Sequence, residues 1–291
     1  SENLSHDSKV WTKEFDLSGN LIETTGELDE DGEFKYDNLF DLGYKYVDVK
    51  YNTYEYVRKT PKAAAKKVVV GYKICRFAQF PSGKAIMPSI LEELLAARKS
   101  TRKLIPLQTD EFMKNVLDKR QLSIKVTANS LYGQIGAATS KIYKKAIAAS
   151  TTAGGRRCIY KAKDYCLKNN PGCDVVYGDT DSVFVKFNLQ YDDGTYPQTD
   201  TEKVQRSIDI GMYLQDKLKK DKYFSPPHDL EYEKVFYPLM LITKKRYAGE
   251  KFEFDATESK FTSMGLVLKR RDNAPILKYI YGGVTNCIMK E

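Results

Sequence analysis

The sequence has no run of apolar residues long enough to cross a bilayer, so no membrane helix is expected among its 291 residues. Its opening, Ser1-Glu2-Asn3-Leu4-Ser5-His6, has no basic stretch followed by an apolar one and does not read as a secretory signal. It also lacks an initiating Met, and the chain reads as a piece of a longer one. Cysteine is sparse: the five, at 75, 158, 166, 173 and 287, are odd in number and form no Cys-x-x-Cys pair. That argues against a disulfide framework or a zinc knot and for reduced intracellular thiols. The two histidines, His6 and His228, have no ligand-spaced partner and read as structural. Repeats and low-complexity tracts are absent.

What remains is an ordinary soluble composition, with 42% hydrophobic and 30% charged residues and a net charge of +8. So mild an excess favours anionic partners slightly and decides nothing more. The length suits one large domain or two modest ones.

Along the chain, residues 1–70 carry turn signals at Gly19-Asn20, Gly26 and Asp31-Gly32, with alternating runs such as 46–51 between them, and read as a small β-rich elaboration. The run 68–74 reads as a further strand and Phe80-Pro81-Ser82-Gly83 as a turn. The period then changes. Ile90, Leu91, Leu94, Leu95 and Arg98 stand at helical spacing, with Pro88-Ser89 as the start and Leu104 near the end. After Pro106 a second helix is expected from Asp110 to Leu131, stopping at Gly133, so that the two form an antiparallel hairpin. Residues 140–167 read as helical with a weak point at Gly154-Gly155, and 201–220 as an amphipathic helix. Strands are expected at 175–177 and 182–187 and, beyond Pro226-Pro227, at 229–237, 239–248 and 251–262; residues 272–291 fit no single pattern.

The most informative segment is Tyr177-Gly178-Asp179-Thr180-Asp181-Ser182, two carboxylates at a turn between two apolar strands. Strand alternation lets Asp179 and Asp181 project to one side, and Gly178 permits close approach of a backbone or ligand. Crowded carboxylates ask for a cation, and a hard ion such as Mg2+ takes oxygen from one or two of them together with substrate phosphates. A solvated Asp-rich turn has the same spacing, and composition alone leaves both readings open.

Tyr177 to Ser182 resembles motif C of the family B DNA polymerases. In the same order, Lys125-Val126-Thr127-Ala128-Asn129-Ser130-Leu131-Tyr132-Gly133 resembles motif B on the second fingers helix, Thr243 to Gly249 resembles the Lys-Lys-Arg-Tyr segment, and Ile90 to Lys99 resembles the first fingers helix. The likeness spans residues 80–275 and is nearest to delta-type enzymes of large DNA viruses, including algal viruses. It implies an α+β fold: a mainly antiparallel palm sheet backed by helices, with an inserted antiparallel two-helix fingers subdomain. Residues 1–87 would be the first part of the palm with a β-rich insertion, 88–134 the fingers, 135–271 the palm with the Asp hairpin, and 272–291 the start of the thumb, with Arg270, Arg271 and Asp272 at that junction.

The resemblance implies template-directed transfer of deoxynucleotides from dNTPs to a primer 3′-hydroxyl by two Mg2+ ions, with Asp181 and Asp179 as metal ligands and catalytic residues. Arg98, Arg102, Lys125, Asn129 and Tyr132 would bind the nucleotide, since phosphoryl transfer needs positioning and cations. Gly133, Thr180, Lys244, Lys245, Arg246 and Tyr247 would face DNA through sequence-independent contacts. Each set has a plainer reading: a solvated basic helix face for Arg98 and Lys125, a core aromatic for Tyr132, an exposed strand end for Lys244 to Arg246. Glu231 and Glu233 read as surface or supporting groups. Primer–template DNA and dNTPs are the implied partners, with a sliding clamp through parts outside this chain, no membrane, and the host nucleus or a viral replication site as the location.

An Asp-x-x-Ser-Leu-Tyr-Pro-Ser run, motif A of that family, does not occur, and with it one metal-binding Asp is missing. This polypeptide alone is therefore expected not to polymerise DNA. A non-catalytic DNA-binding scaffold, a reverse transcriptase or RNA polymerase, and a plain basic DNA-binding module are the competing readings. The intact Asp179, Asp181, Arg98 and Lys125 speak against the scaffold, the Gly-Asp-Thr-Asp tip and the Asn129-to-Gly133 run against a reverse transcriptase or RNA polymerase, and the carboxylate hairpin, which a basic module would not need, against the last.

Overall fold

The computed structural model describes residues 3–61, 63–221, 224, 228–269 and 272–290; Arg270, Arg271 and the Pro226-Pro227 pair lie outside the described residues. It divides into two compact units, residues 1–155 and 156–291.

In the first unit, β1 (Lys9–Asp16), β2 (Leu21–Gly26), β3 (Lys45–Val57) and β4 (Lys66–Gln79) form an antiparallel sheet in the order β2-β1-β4-β3. The long β3–β4 hairpin follows the alternation of its sequence. Val49, Tyr51, Cys75 and Phe77 point to one side and are buried with Ile135 and Ile147. On the other side, Ala78 is buried with Val10 and Trp11. Helix α1 (Ile86–Leu104) has no side-chain cap of its own. Its first amides are met from far away in sequence: Asn3 Oδ1 accepts from the Ala85 N–H at 3.2 Å and Asp7 Oδ2 from the Ile86 N–H at 2.8 Å. A 3-10 turn leads to α2 (Glu111–Gly136), capped by the Asp110 carboxylate, which accepts from the Phe112 N–H.

The second unit holds the C-terminal part of α3 (Lys145–Asn169), the two-stranded β5 (Asp174–Asp179) and β6 (Ser182–Lys186), α4 (Asp200–Lys220), a sheet of β7 (Val235–Thr243), β8 (Arg246–Phe252) and β9 (Lys260–Met264), and α5 (Pro275–Lys290). A capping box starts α4: Thr199 Oγ1 accepts from the Glu202 N–H while the Glu202 carboxylate accepts from the Thr199 N–H. Its apolar stripe, including Ile208, Leu214 and Leu218, is buried in two clusters with α3 and the segment after it.

The mixed helix and antiparallel sheet is the expected α+β class. Several boundaries differ from the sequence reading. Helix α1 starts at Ile86, so Pro88 falls inside its first turn, where a missing N–H costs nothing. Helix α2 passes Gly133 and ends at Gly136, and α3 starts at Lys145 rather than 140 and runs through Gly154-Gly155 unbroken. Residues 228–234 are not a strand. The single strand expected at 239–248 is two strands joined by a turn at Lys244-Lys245, because adjacent cations seek solvent rather than a continuous ladder. The last expected strand, 251–262, is the end of β8 and the start of β9 with a loop between, and residues 275–290 are helical.

Candidate active site

Asp179 and Asp181 stand at the tip of the β5–β6 hairpin, where Asp179 pairs with Ser182 and only Thr180 and Asp181 form the loop. Thr180 has φ = 58°, a left-handed backbone for a β-branched residue. The Asp181 N–H donates to the Asp179 carbonyl at 2.6 Å across it, closing a γ-turn of the positive-φ kind, the rarer and more strained form. Asp181 is thereby in the turn rather than on a strand, so strand alternation does not govern its direction. Its side chain is exposed, while Asp179 is half-buried.

A second hairpin meets the first. Lys244 and Lys245 form the two-residue loop between β7 and β8, and Lys245 also has a left-handed backbone, φ = 60°. Its Nζ donates to Asp179 Oδ1 at 2.6 Å, and its backbone N–H donates to Tyr177 Oη at 2.8 Å. The ammonium holds the Asp179 carboxyl below its ordinary 3.8, helped by the Thr180 hydroxyl, which donates to Oδ1 at 3.1 Å. In return Asp179, and to a smaller degree Asp181, raises the Lys245 ammonium above 10.5. Below this contact an aromatic cluster fixes the two hairpins. Tyr247, with only 7% of its surface exposed, packs edge-on against Tyr177, Phe184 and Phe236 at ring separations of 6.5, 5.5 and 5.8 Å. Tyr247 is therefore mainly a packing residue, whereas Lys244 and Arg246 are exposed.

A groove of about 1300 Å³ runs beside the tip, lined by Asp179, Thr180, Asp181, by Lys203 of α4, and by the segment 229–237. Glu231 and Glu233 border it, but each is already matched by a lysine, Lys219 at 3.5 Å and Lys234 at 2.6 Å.

In the first unit, α1 and α2 run back along each other. Arg98 Nε donates to Gln121 Oε1 at 3.1 Å, and Gln121 lies one turn before Lys125 and two before Asn129 on the same face of α2. Arg98 is half-buried and so held in place, while Arg102, Lys125 and Asn129 are exposed. The Tyr132 hydroxyl is 2.8 Å from Thr152 Oγ1 and 3.2 Å from the Ala148 carbonyl, and its ring keeps 38% exposure, so it is not a core aromatic. Gly133 has open space where a Cβ would stand.

Against known protein families, residues 40–291 match the model for DNA polymerase family B. This chain belongs to that family. Among its relatives, the DNA polymerase of Phaeocystis pouchetii virus is 64% identical over 208 residues, 67% of this family B chain and 20% of the relative. The DNA polymerase of Pyramimonas orientalis virus is 41% identical over 336 residues, 100% of this chain and 25% of the relative. The DNA polymerase delta catalytic subunit of Schizosaccharomyces pombe is 41% identical over 204 residues, 68% of this chain and 18% of the relative. The likeness to viral polymerases thus extends over as much as the whole chain and that to the delta catalytic subunit over about two thirds of it, and the chain spans about a fifth to a quarter of the length of these relatives.

The donor set of this family B hairpin fits a magnesium ion in part. Asp181 offers a free, exposed carboxylate, and Asp179 a second one already neutralised by Lys245. Among the described residues there is no group of three or more His, Cys, Asp or Glu able to hold a metal. Mg2+ is commonly held by one or two carboxylates completed by substrate phosphates and water, which is the kind of incomplete set seen here.

Two supporting residues escape a reading of the sequence. Tyr177 belongs to the motif, but its role as acceptor for the Lys245 amide depends on a residue 68 positions away. Gly265, at φ = 65°, lies so close to the Lys245 carbonyl that any Cβ there would collide with it. Its only signal in the sequence is a lone Gly after a strand, too common to single out.

Proposed function

We propose that this chain is the part of a DNA-directed DNA polymerase that carries the carboxylate hairpin and the nucleotide-gripping helices. In this reading residues 1–87 and 135–271 are palm, 88–134 are fingers, and 272–291 begin the thumb. The observation that carries it is Asp181. An exposed carboxylate is fixed at a strained two-residue turn beside a lysine-neutralised neighbour, in a chain whose family is that of DNA polymerases.

Asp181, with Asp179, would hold Mg2+, and a bound ion would supply the Lewis acid that activates the primer 3′-hydroxyl and steadies the triphosphate. Arg98, Arg102, Lys125 and Asn129 orient the dNTP phosphates. Arg98 arrives already braced by Gln121, which lowers the cost of ordering it on binding. Tyr132 and Gly133 leave an exposed ring and a bare backbone patch against which a base pair can lie. Lys244 and Arg246 take phosphates of primer–template DNA in a salt-dependent, sequence-independent manner. A bound Mg2+ at this hairpin needs a further carboxylate from a segment like motif A, absent from the sequence, so the chain by itself does not extend primers.

The test uses the full-length polymerase. Asp181→Asn lowers kcat by at least about a thousandfold with primer–template Kd unchanged, the pattern of a group acting on the transition state. Near wild-type turnover in Asp181→Asn refutes the metal assignment. Metal-dependent primer extension by the 291-residue chain alone refutes the need for a further carboxylate.

A further inference from the structure

The β3–β4 hairpin outgrows its sheet. β1 pairs with β4 only as far as Gly71, where the β4 backbone lies so close to the Phe15 carbonyl that a Cβ would collide with it. Beyond that point, residues 54–57 and 66–69 pair only with each other, as a two-stranded ribbon. Such a ribbon buries little and is marginal in water by itself. Its charge also differs from that of the stretch before it. Residues 14–48 hold eleven acids and two cations, whereas the ribbon, 54–69, holds five cations, Arg58, Lys59, Lys62, Lys66 and Lys67, and one acid, Glu55, which by strand alternation faces away from Tyr54 and Tyr56. Among the described residues, Arg58, Lys59, Lys66 and Lys67 form no ion pair.

The register arranges aromatics among these cations. Tyr54 pairs with Val69 and Tyr56 with Lys67, and residues two apart share a face, so both tyrosines and Lys67 stand on one side. Lys67 Nζ lies 3.7 Å from the Tyr54 ring centroid. Farther down the same face Lys50 Nζ lies 3.6 Å from the Tyr72 ring, which stacks on Phe15. Tyr54 and Tyr56 are 41% and 70% exposed, in a place where an isolated ribbon has no packing use for them. Two positions along a strand are roughly 6.6 Å apart, close to the step between bases of an extended single strand.

We propose that this ribbon is a binding arm for single-stranded nucleic acid, with Tyr54 and Tyr56 stacking successive bases and Lys66, Lys67 and Arg58 taking the phosphates. Polyanion attraction explains the cations, and base stacking explains exposed rings placed among them. The acid-rich stretch 14–48, which precedes the arm in sequence, repels the same ligand. The arm is independent of the Asp181 site and would bind a strand whether or not that site holds metal.

The experiment measures fluorescence anisotropy of a labelled oligothymidylate, about 16 nucleotides long, with the whole chain across a salt series. The double variant Tyr54→Ala/Tyr56→Ala weakens binding at least about tenfold. Lys66→Glu/Lys67→Glu weakens it further and reduces the slope of log K against log salt by about 1.4, since each phosphate contact on a single strand contributes about 0.7. Binding is the same with Mg2+ and with a chelator at equal ionic strength, which separates this site from the polymerase reading. A 5-iodouracil oligonucleotide, photocrosslinked and mapped by mass spectrometry, attaches to Tyr54 or Tyr56. Binding within twofold of wild type in both double variants overturns the proposal, as do adducts confined to other segments or losses seen for duplex alone. Variants that self-associate while binding normally also overturn it, since the lysines would then serve only to keep the free strand edges from pairing.

Discussion

The strained turn at Thr180 offers a test of the site's architecture that needs no ligand. Replacing Thr180 by Gly and by Ala removes the same hydroxyl and its bond to Asp179, so that loss cancels when the two variants are compared. What differs is the backbone. An L-residue in left-handed conformation costs about 1–2 kcal/mol, from which Gly is exempt. Gly gives back about 0.5–1 kcal/mol through the freer unfolded chain. At φ = 58° the Gly variant should therefore be the more stable by up to about 1.5 kcal/mol. The same pair at Lys186, an exposed position on β6 with no left-handed backbone, should favour Ala by about 0.5–1 kcal/mol. Trp11 is the sole tryptophan and belongs to the other unit, so its fluorescence says nothing of this hairpin. Hydrogen exchange of the Val183 to Val185 amides reads local opening directly. A preference for Ala at Thr180 as large as that at Lys186 would refute the strained turn, and with it the argument that the fold holds Asp181 in place at a cost.

The ion pair of the two hairpins sets a pH window. A depressed Asp179 contributes stability that is complete above its ordinary 3.8 and lost as pH falls through its lower folded value; Lys245, raised, contributes below 10.5 and loses it as pH rises above that. Carboxyl-carbon NMR should place the Asp179 midpoint under 3.8, and Lys245→Met should move it upward; no movement would show that the lysine is not the cause. Thr199→Ala removes the capping-box acceptor of α4 and should cost about 1 kcal/mol in denaturant unfolding, while a loss under about 0.3 kcal/mol would mean that the box is idle. Burial pushes the Cys166 thiol up to about 11, so at pH 8 iodoacetamide should alkylate exposed Cys287 and spare Cys166, as peptide mass mapping would show.

Most of the helices and the motif hairpin were legible because their signals are local. The 3.6-residue spacing around Ile90, the Asp110 cap and the apolar runs flanking Asp179 each lie within a few residues of what they determine. The turn at Lys244-Lys245 was not legible as a turn. Its residues have ordinary side chains with no preference for a left-handed backbone, and what stabilises them there is Tyr177 and Gly265, at the far ends of long sequence separations. Capping of α1 by Asn3 and Asp7 escaped notice for the same reason. The site residues were legible through a resemblance of motifs, whereas the pairing of Asp179 with Lys245 could be read from neither motif alone.

That pairing bears on how the two carboxylates divide their work. Unmatched, the carboxylates of Asp179 and Asp181 would repel each other at the hairpin tip. Lys245 cancels the charge of Asp179, so the tip keeps one net negative charge, on the residue that is exposed. One free carboxylate is a poor trap for a divalent ion, which in water keeps its own hydration. An ion held there must draw its remaining oxygens from elsewhere, and in the polymerase reading the triphosphate supplies them together with the further carboxylate of a motif A segment. The hairpin would then recruit metal with nucleotide rather than before it. Substituting Lys245 would bring a second charge to the tip, and should strengthen metal binding in the absence of nucleotide while loosening the position of Asp181.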